Sequence, residues 1–363
     1  MSFVKNLKKK TNHLISDLSY LVPLPRAYHS PIKLQLETSG VCNFRCKQCS
    51  LTNFGLPKNA GMLDYRSFVN IFKQFKWLRR IEPYGLGEAF LNKDLFKMID
   101  FVKKNDPSII IDITTNGSLI NKETTQEIIK KGVNRINFSI DGAKAETYEK
   151  IRGGKPFAEI INNVKILVKT KQESGSKKPL ISISMVVMEE NINDLGDYVL
   201  LGKELGVEEV HLQEFNPIWD KSKKGLNNDL VKEKLLEARQ IAKKNHINLT
   251  FSDRYSSLAC LSKLTKLKYW TKKVLNRFFH RLLYRKGNNH IQCPLPWSGA
   301  YITNKGDVTP CCMIPDARIK SFGNVNQTDF TQIWNNQEFR AFRKQLLSGQ
   351  IPAECIDCSL ARR

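Results

Sequence analysis

Long apolar runs are missing from this chain. No stretch of 18 consecutive apolar residues occurs in its 363, which excludes a membrane-spanning helix. The opening segment, MSFVKNLKKKTNHLISDLSYL, has no continuous apolar core, so no secretory signal is expected. Acidic residues are scarce: 35 Asp and Glu stand against 58 Lys and Arg, a net charge of +23. Such an excess implies either an acidic partner (nucleic acid, anionic lipid or a phosphorylated substrate) or a solvated basic surface. No recognised nucleic-acid module accompanies it. Short internal repeats and low-complexity linkers are absent, so neither a repeat array nor a flexible tether is expected. What remains is a globular composition, 41% apolar, in a chain longer than one core usually fills. Two domains, or one large domain with an appendage, are expected.

Nine cysteines are present. With no secretory signal expected, clustered cysteines read as metal ligands rather than disulfides. Three fall within eight residues: Cys42, Cys46 and Cys49 in VCNFRCKQCS. Three thiolates at this spacing can wrap one side of a four-iron cluster and leave one iron without a protein ligand. Iron–sulfur clusters are ordinarily held by cysteine thiolates, usually four, so the missing ligand is an open coordination site. Zinc is the alternative; structural zinc takes four protein ligands, commonly in separated pairs. An open iron–sulfur cluster needs a reducing interior, so a cytoplasmic location is expected.

The triplet resembles the cluster loop of the radical S-adenosylmethionine (radical SAM) enzymes. The resemblance implies a [4Fe–4S] cluster on Cys42, Cys46 and Cys49 with S-adenosylmethionine chelated at the free iron. It also implies reductive cleavage to a 5′-deoxyadenosyl radical that takes a hydrogen atom from a substrate. In such enzymes the cofactor carries the hard chemistry, and the protein positions and shields it. One departure is Gln48, where the family most often has an aromatic or large apolar residue.

Short β-like runs alternate with helical patterns between residues 32 and 251. The strands are read at 33–38, 79–88, 109–117, 135–142, 180–188 and 208–215, with helices between them, then a helix at 229–244 and a short strand INLTF. Such alternation builds a parallel sheet with right-handed crossovers. The fold class expected is α/β: six units forming a partial (β/α)6 barrel, the fold radical SAM enzymes share, with a small C-terminal auxiliary-cluster module. The organisation expected is a basic N-terminal extension (1–31), the barrel (32–251), a basic amphipathic connecting segment (252–290) and the auxiliary domain (291–363).

Ligands of parallel α/β proteins bind at the carboxyl ends of the strands, and several residues fall there. Gly85-Leu86-Gly87-Glu88 follows the second strand, where glycine lets a ligand approach the backbone and Glu88 could accept from an ammonium group. GLGEAF looks like the family's glycine–glutamate motif, which implies that Gly87 and Glu88 contact the methionyl amine. Asn116, in TTNG, is similar to a family turn; an ordinary asparagine–glycine turn reads equally well. Ser139 and Asp141 end the fourth strand two residues apart, on one face, and Arg152 follows in TYEKIRGG. By resemblance, Ser139 and Arg152 hold the methionyl carboxylate or the ribose, and an arginine fork suits a carboxylate. For Asp141 alone, helix capping is expected. Gln213, ending the sixth strand, points by position at the nucleoside; a solvated sheet-end glutamine is the plainer reading.

A second set, Cys293, Cys311, Cys355 and Cys358, lies in the last part of the chain, in the contexts IQCPLPW, GDVTPCC and ECIDC. Together with FGNV and IW these resemble the SPASM or twitch module of radical SAM enzymes. The spacing is similar to that of the family's dehydrogenases acting on aminocyclitols. One complete set of four implies a second, auxiliary [4Fe–4S] cluster; zinc is the alternative, since a C-x-x-C pair also suits it. Gly306-Asp307 signals a hairpin that brings Cys293 and Cys311 together. Of the adjacent Cys311 and Cys312 only one should be a ligand, since strand neighbours point to opposite faces; family spacing favours Cys311.

Cys260 and Cys312 are left over. Cys260, between barrel and module, is the candidate catalytic hydrogen donor; the plainer reading is a small buried hydrophobe. Residues 262–286 carry nine Lys and Arg and no acid, with Leu267, Trp270, Val274, Phe278 and Leu282 at helical spacing. Phe3, Leu7, Leu14 and Leu18 repeat the theme weakly. Such helices lie on anionic membrane surfaces or bind partners; the simpler expectation is that both apolar faces pack on the barrel. The remaining expectations are an electron donor such as flavodoxin or ferredoxin, and a substrate of carbohydrate type that is dehydrogenated or epimerised. The alternatives are a peptide-modifying maturase and a non-catalytic iron–sulfur or zinc scaffold.

Overall fold

Alternation along the strands decides the architecture. In Arg135–Ser139, Ile136 and Phe138 are fully buried, and Phe138 faces Ile160 of a covering helix across Gly117. Ile183 and Val210 meet Gly202 of the next helix in the same way. The polar partners of these residues, Asn137, Ser139, Ser182, Ser184 and His211, therefore take the opposite, inner face.

The computed structural model describes residues 3–19, 22–55, 60–216, 226–252, 255, 293–356 and 358. Nine strands form one sheet: β1 (Lys33–Leu36), β2 (Arg80–Glu82), β3 (Ile110–Thr115), β4 (Arg135–Ser139), β5 (Leu180–Val187), β6 (Glu209–Glu214), β7 (Leu249–Phe251), β8 (Gly299–Ile302) and β9 (Val308–Thr309). Their order is β7-β6-β5-β4-β3-β2-β1-β8-β9, and every neighbouring pair is parallel except β8–β9. The sheet is the expected partial barrel, open between β7 and β9. Two strands extend it: β7 continues the series beyond β6, and β8 docks in parallel on β1, pairing Lys33 with Gly299 through Leu36 with Ile302. The hairpin expected at Gly306 is present, with Ile302 opposite Val308. Gly306 has φ +89°, a conformation L side chains rarely adopt.

The covering helices include α3 (Tyr65–Lys73), α4 (Leu95–Asn105), α5 (Lys122–Lys130), α7 (Phe157–Glu173), α8 (Leu195–Leu205) and α9 (Asn228–Lys244). Two more were not expected: α2 (Ser50–Asn53), directly after the cysteine triplet, and α6 (Ala145–Arg152), which ends on Arg152 with Gly153 left-handed at φ +74°. The last part of the chain adds α10 (Leu295–Ser298), α11 (Phe330–Ile333) and α12 (Gln337–Ser348) around Phe322, Phe330, Trp334 and Phe339. Arg343 is fully buried there. Its guanidinium lies 4.2 Å from the ring centroids of Trp334 and Phe339 and donates to Pro296 O and Trp334 O, each at 2.9 Å. Burial alone pushes its pKa down to about 9; the rings and carbonyls compensate its charge. Residues 24–29 strap onto this module through Trp297 Nε1 to Leu24 O and Trp334 Nε1 to His29 O, both 2.7 Å.

The N-terminal helix α1 (Phe3–Ser19) corrects one expectation. Its apolar face does not pack on the barrel. Lys9 pairs with Asp106 at 2.6 Å and donates to Ser108 at 2.7 Å. Asn12 exchanges hydrogen bonds with the Ser30 backbone, and His13 Nε2 lies 2.8 Å from Trp77 O. These polar anchors turn the helix over, leaving Val4, Leu7, Leu14 and Leu18 58%, 55%, 59% and 50% exposed. Segment 262–286 and Cys260 lie outside the described residues.

Candidate functional site

The cysteine triplet follows β1 and is gripped from two sides. On one side, Gly87 N donates to Ser39 O at 3.1 Å and Glu88 N to Val41 O at 2.9 Å. A methyl group at Gly87 would sit 2.2 Å from Val41 O and 2.4 Å from Ser39 O, so only glycine fits. On the other side, Lys47 N donates to Ile151 O at 2.9 Å, and a methyl group at Gly153 would meet Arg45 O at 2.8 Å. Backbone and side-chain donors already aim at the sulfurs: Phe44 N at 3.4 Å and Asn116 Nδ2 at 3.8 Å from Cys42 Sγ, and Arg152 Nη1 at 3.6 Å from Cys46 Sγ.

Several expected cofactor contacts are committed to the protein itself. Glu88 is buried; its carboxylate accepts from Thr115 Oγ1 and Asn116 N, each at 2.8 Å, and from Phe90 N at 3.2 Å. Burial raises its pKa, opposed by these donors. Asn116 donates to Asn43 Oδ1 at 2.8 Å, so the TTNG turn braces the cysteine loop. Asp141 caps no helix. It pairs with Arg152 at 2.6 Å, accepts from Val186 N at 2.8 Å, and accepts from Gln48 Nε2. Burial works against the charge of Arg152, but Asp141 and Cys46 more than offset this and hold its pKa up. Ser139 and Gln213 differ: both are half-buried at strand ends.

Sequence reasoning missed three features. Gln48, noted only as a departure from the family pattern, is buried and reaches Asp141. Glu37 is buried and accepts from Leu86 N, Tyr301 Oη and Asn304 N, each at 3.1 Å. The inner face of the sheet is polar and charged, with Lys33–Glu82 at 2.8 Å, Arg80–Asp112 at 2.6 Å and an Arg135–Glu209 pair. His211 lies beside it, its Nδ1 2.7 Å from Thr250 Oγ1 and its pKa lowered by burial. The alternation of Lys33, Gln35 and Glu37 with Leu34 and Leu36 was the available signal.

In the second set, Cys355 and Cys358 are buried and Cys293 and Cys311 half-buried. Cys311 and Cys312 have different charge surroundings. The charge neighbours of Cys311 are Cys312 and Cys293, whereas Cys312 senses Lys33 and Glu82 of the inner face and also Cys358. Asn216, just past β6, donates to Cys358 Sγ at 3.7 Å. Both sets suit iron–sulfur binding in donor chemistry. Burial pushes Cys42 up to about 11 and Cys355 up to about 12, and neighbouring thiols push the same way, so a cation is what would hold them as thiolates. Among the described residues, no three His, Cys, Asp or Glu side chains are grouped for a single metal ion.

Comparison with known proteins agrees with this geometry. Residues 36–201 match the radical SAM superfamily and residues 293–359 match the SPASM iron–sulfur cluster-binding domain. The chain is 25% identical over 342 residues to a tungsten-containing aldehyde ferredoxin oxidoreductase cofactor-modifying protein of Pyrococcus furiosus, covering 90% of this chain and 87% of that one. It is 30% identical over 199 residues to GTP 3′,8-cyclase of Clostridium acetobutylicum, covering 52% of this chain and 58% of that one, less than two thirds of its length. Among solved structures, Streptococcus suis SuiB bound to S-adenosylmethionine superposes with TM-score 0.65 at 16% identity, over 92% of this chain and 72% of that one. The protein anSMEcpe with bound AdoMet gives TM-score 0.62 at 15% identity, over 92% and 88%. These two show a shared fold.

The grip on the cysteine loop makes a sharp prediction. Gly87→Ala forces backbone oxygens aside, costing about 1–3 kcal/mol and loosening the loop. Thermal unfolding should fall by several degrees and iron uptake on reconstitution should drop; an unchanged melting temperature with full iron uptake would contradict the packing described.

Proposed function

This chain is a radical SAM enzyme with a C-terminal SPASM module, and from that premise we propose that it abstracts a hydrogen atom from a small, polar, carbohydrate-type substrate. Cys42, Cys46 and Cys49 would hold a [4Fe–4S] cluster that, fed one electron by a flavodoxin or ferredoxin, would supply the cleavage of S-adenosylmethionine to methionine and a 5′-deoxyadenosyl radical that abstracts hydrogen. Cys293, Cys311, Cys355 and Cys358 would hold an auxiliary cluster able to accept the electron lost with a proton in a dehydrogenation, whereas an epimerisation would need a thiol hydrogen donor, for which Cys260 is the candidate. Ser139 and Gln213 are the residues left to orient the cofactor, while Glu88 and Asn116 keep the loop in place.

The observation that carries the substrate class is the polar inner face of the sheet. Ser139, His211 and Gln213 are half-buried on this face, beside Asn137 and Ser184, which bond each other at 2.8 Å. Ion pairs occupy the strands' beginnings. A polar lining of this kind suits a hydroxyl-rich molecule better than an apolar one. The names of the two sequence relatives, a cofactor-modifying protein and a GTP cyclase, support a small polar molecule. A peptide is the second reading. It is favoured by a cavity of about 230 Å³ between α2 and the module, lined by Leu51, Phe54, Leu86, Met313, Pro315 and Ile319, large enough for an apolar side chain. SuiB has been seen bound to a precursor peptide.

We also propose that α1 rests on an anionic lipid surface. Its outward stripe of Val4, Leu7, Leu14 and Leu18 is flanked by exposed Lys8 and Lys10, in a chain of net charge +23. Apolar residues with basic neighbours are what interfacial helices present to such membranes. No helix among the described residues is long and apolar enough to cross one.

Two experiments test these readings. Anaerobically reconstituted protein given dithionite and S-adenosylmethionine should release 5′-deoxyadenosine, and Cys42→Ala, Cys46→Ala or Cys49→Ala should each abolish it. Release that survives these substitutions, or none from folded wild-type protein, overturns the radical reading. In co-sedimentation, wild-type protein should bind phosphatidylglycerol-containing vesicles and not pure phosphatidylcholine. Leu7→Glu with Leu14→Glu should remove the binding; equal sedimentation of variant and wild type would refute the lipid assignment.

A further inference from the structure

Behind the cysteine loop lies a buried charge relay that the chemistry above leaves without a task. One guanidinium, Arg152, bridges a carboxylate and a thiol: Nη2 is 2.6 Å from Asp141 Oδ2 and Nη1 is 3.6 Å from Cys46 Sγ. Asp141 is fully buried and Arg152 nearly so, which means that water screens neither charge. The carboxylate is fixed from three directions, by Arg152, by the Val186 amide at 2.8 Å, and by Gln48 Nε2 from within the cysteine loop. Arg152 Nε, Gln48 Oε1, Tyr148 Oη and Tyr198 Oη are buried without hydrogen-bond partners. These polar groups line the pair, and Glu88 also feels the charge of Arg152.

We propose that Arg152 and Asp141, with Gln48 attached, set the reduction potential of the cluster carried by Cys46. This rests on the reading that a four-iron cluster occupies the triplet. Reduction adds one negative charge to that cluster. A cation donating N–H to the coordinating sulfur stabilises the reduced form and raises the potential; an anion at the same depth lowers it. The two halves of the ion pair thus act with opposite sign on one quantity. Gln48 moderates the balance, because its amide donates to Asp141 and dilutes the negative side. Both terminal nitrogens of Arg152 are engaged, which makes it a positioning residue for the cluster rather than a fork open to the methionyl carboxylate. An apolar residue at 48 would lack the donor that this chain supplies.

The test is a redox titration of anaerobically reconstituted full-length protein without S-adenosylmethionine, followed by electron paramagnetic resonance. The relevant signal is identified by its change when S-adenosylmethionine is later added. Asp141→Asn should raise the potential and Arg152→Gln should lower it. Each should change the ratio of reduced to oxidised cluster at a fixed potential about tenfold, or about 59 mV for one electron. Gln48→Leu, which leaves the ion pair intact, should shift it down by less, and serves if Arg152→Gln does not fold. Shifts of Asp141→Asn and Gln48→Leu in the same direction, or no shift in iron-loaded variants, would overturn this inference alone. A wild-type chain that takes up no four-iron cluster would overturn it together with the reading it rests on.

Discussion

A single buried carboxylate fixes the frame on which both cysteine sets hang. Glu37 follows β1 directly, five residues before Cys42. Removing a carboxylate from water is costly unless donors replace the solvent, and Glu37 finds three: Leu86 N from the GLGE segment, and Tyr301 Oη and Asn304 N from the strand and turn between Cys293 and Cys311. Gly85 is glycine for the same reason, since a methyl group there would lie 2.6 Å from Glu37 Cβ and 2.5 Å from Tyr301 Oη. Cluster loop, second-strand loop and C-terminal hairpin therefore meet at one residue. The pairing of β8 with β1 carries the same junction into the sheet.

Around that junction the molecule holds its polar groups in two different ways. The side chains nearest the triplet, Glu88, Asn116, Asp141 and Arg152, bond one another, the backbone and the cysteine loop, which braces the loop from within the protein. Preorganisation of this kind lowers the cost of positioning a reactive group. Deeper in the sheet, Lys33, Arg80 and Arg135 neutralise Glu82, Asp112 and Glu209. Several thiols are the exception. Burial raises Cys42, Cys46, Cys311, Cys312 and Cys355, and a cation opposes this at Cys46, through Arg152, and at Cys312, through Lys33, so metal binding and the stability of these loops are coupled.

Local chemistry was legible in the sequence, and long-range choices were not. The spacing of Cys42, Cys46 and Cys49, the strand alternation, and the Gly306 hairpin are each written within a few residues. The docking of β8 on β1 is not, because it joins positions more than 260 residues apart in the chain. Motif residues were located correctly at strand ends, yet what their side chains bond could not be read. Glu88 turns to Thr115 and Asn116, and Arg152 to Asp141, because those neighbours come from other loops. The mounting of α1 was the clearest reversal. Its pattern favoured burying leucines, but Asp106, Ser108 and Ser30 offered partners to Lys9 and Asn12 on the other face.

The account stands on the claim that one chain holds two iron–sulfur clusters, one open and one closed. Iron, sulfide and zinc analysis of anaerobically reconstituted protein measures this most directly. About eight irons and eight sulfides per chain, falling to about four of each in a Cys355→Ala, Cys358→Ala variant, is the predicted result. About four irons with one zinc in the wild-type protein would contradict an auxiliary redox cluster, and well-folded protein without iron would contradict the account as a whole.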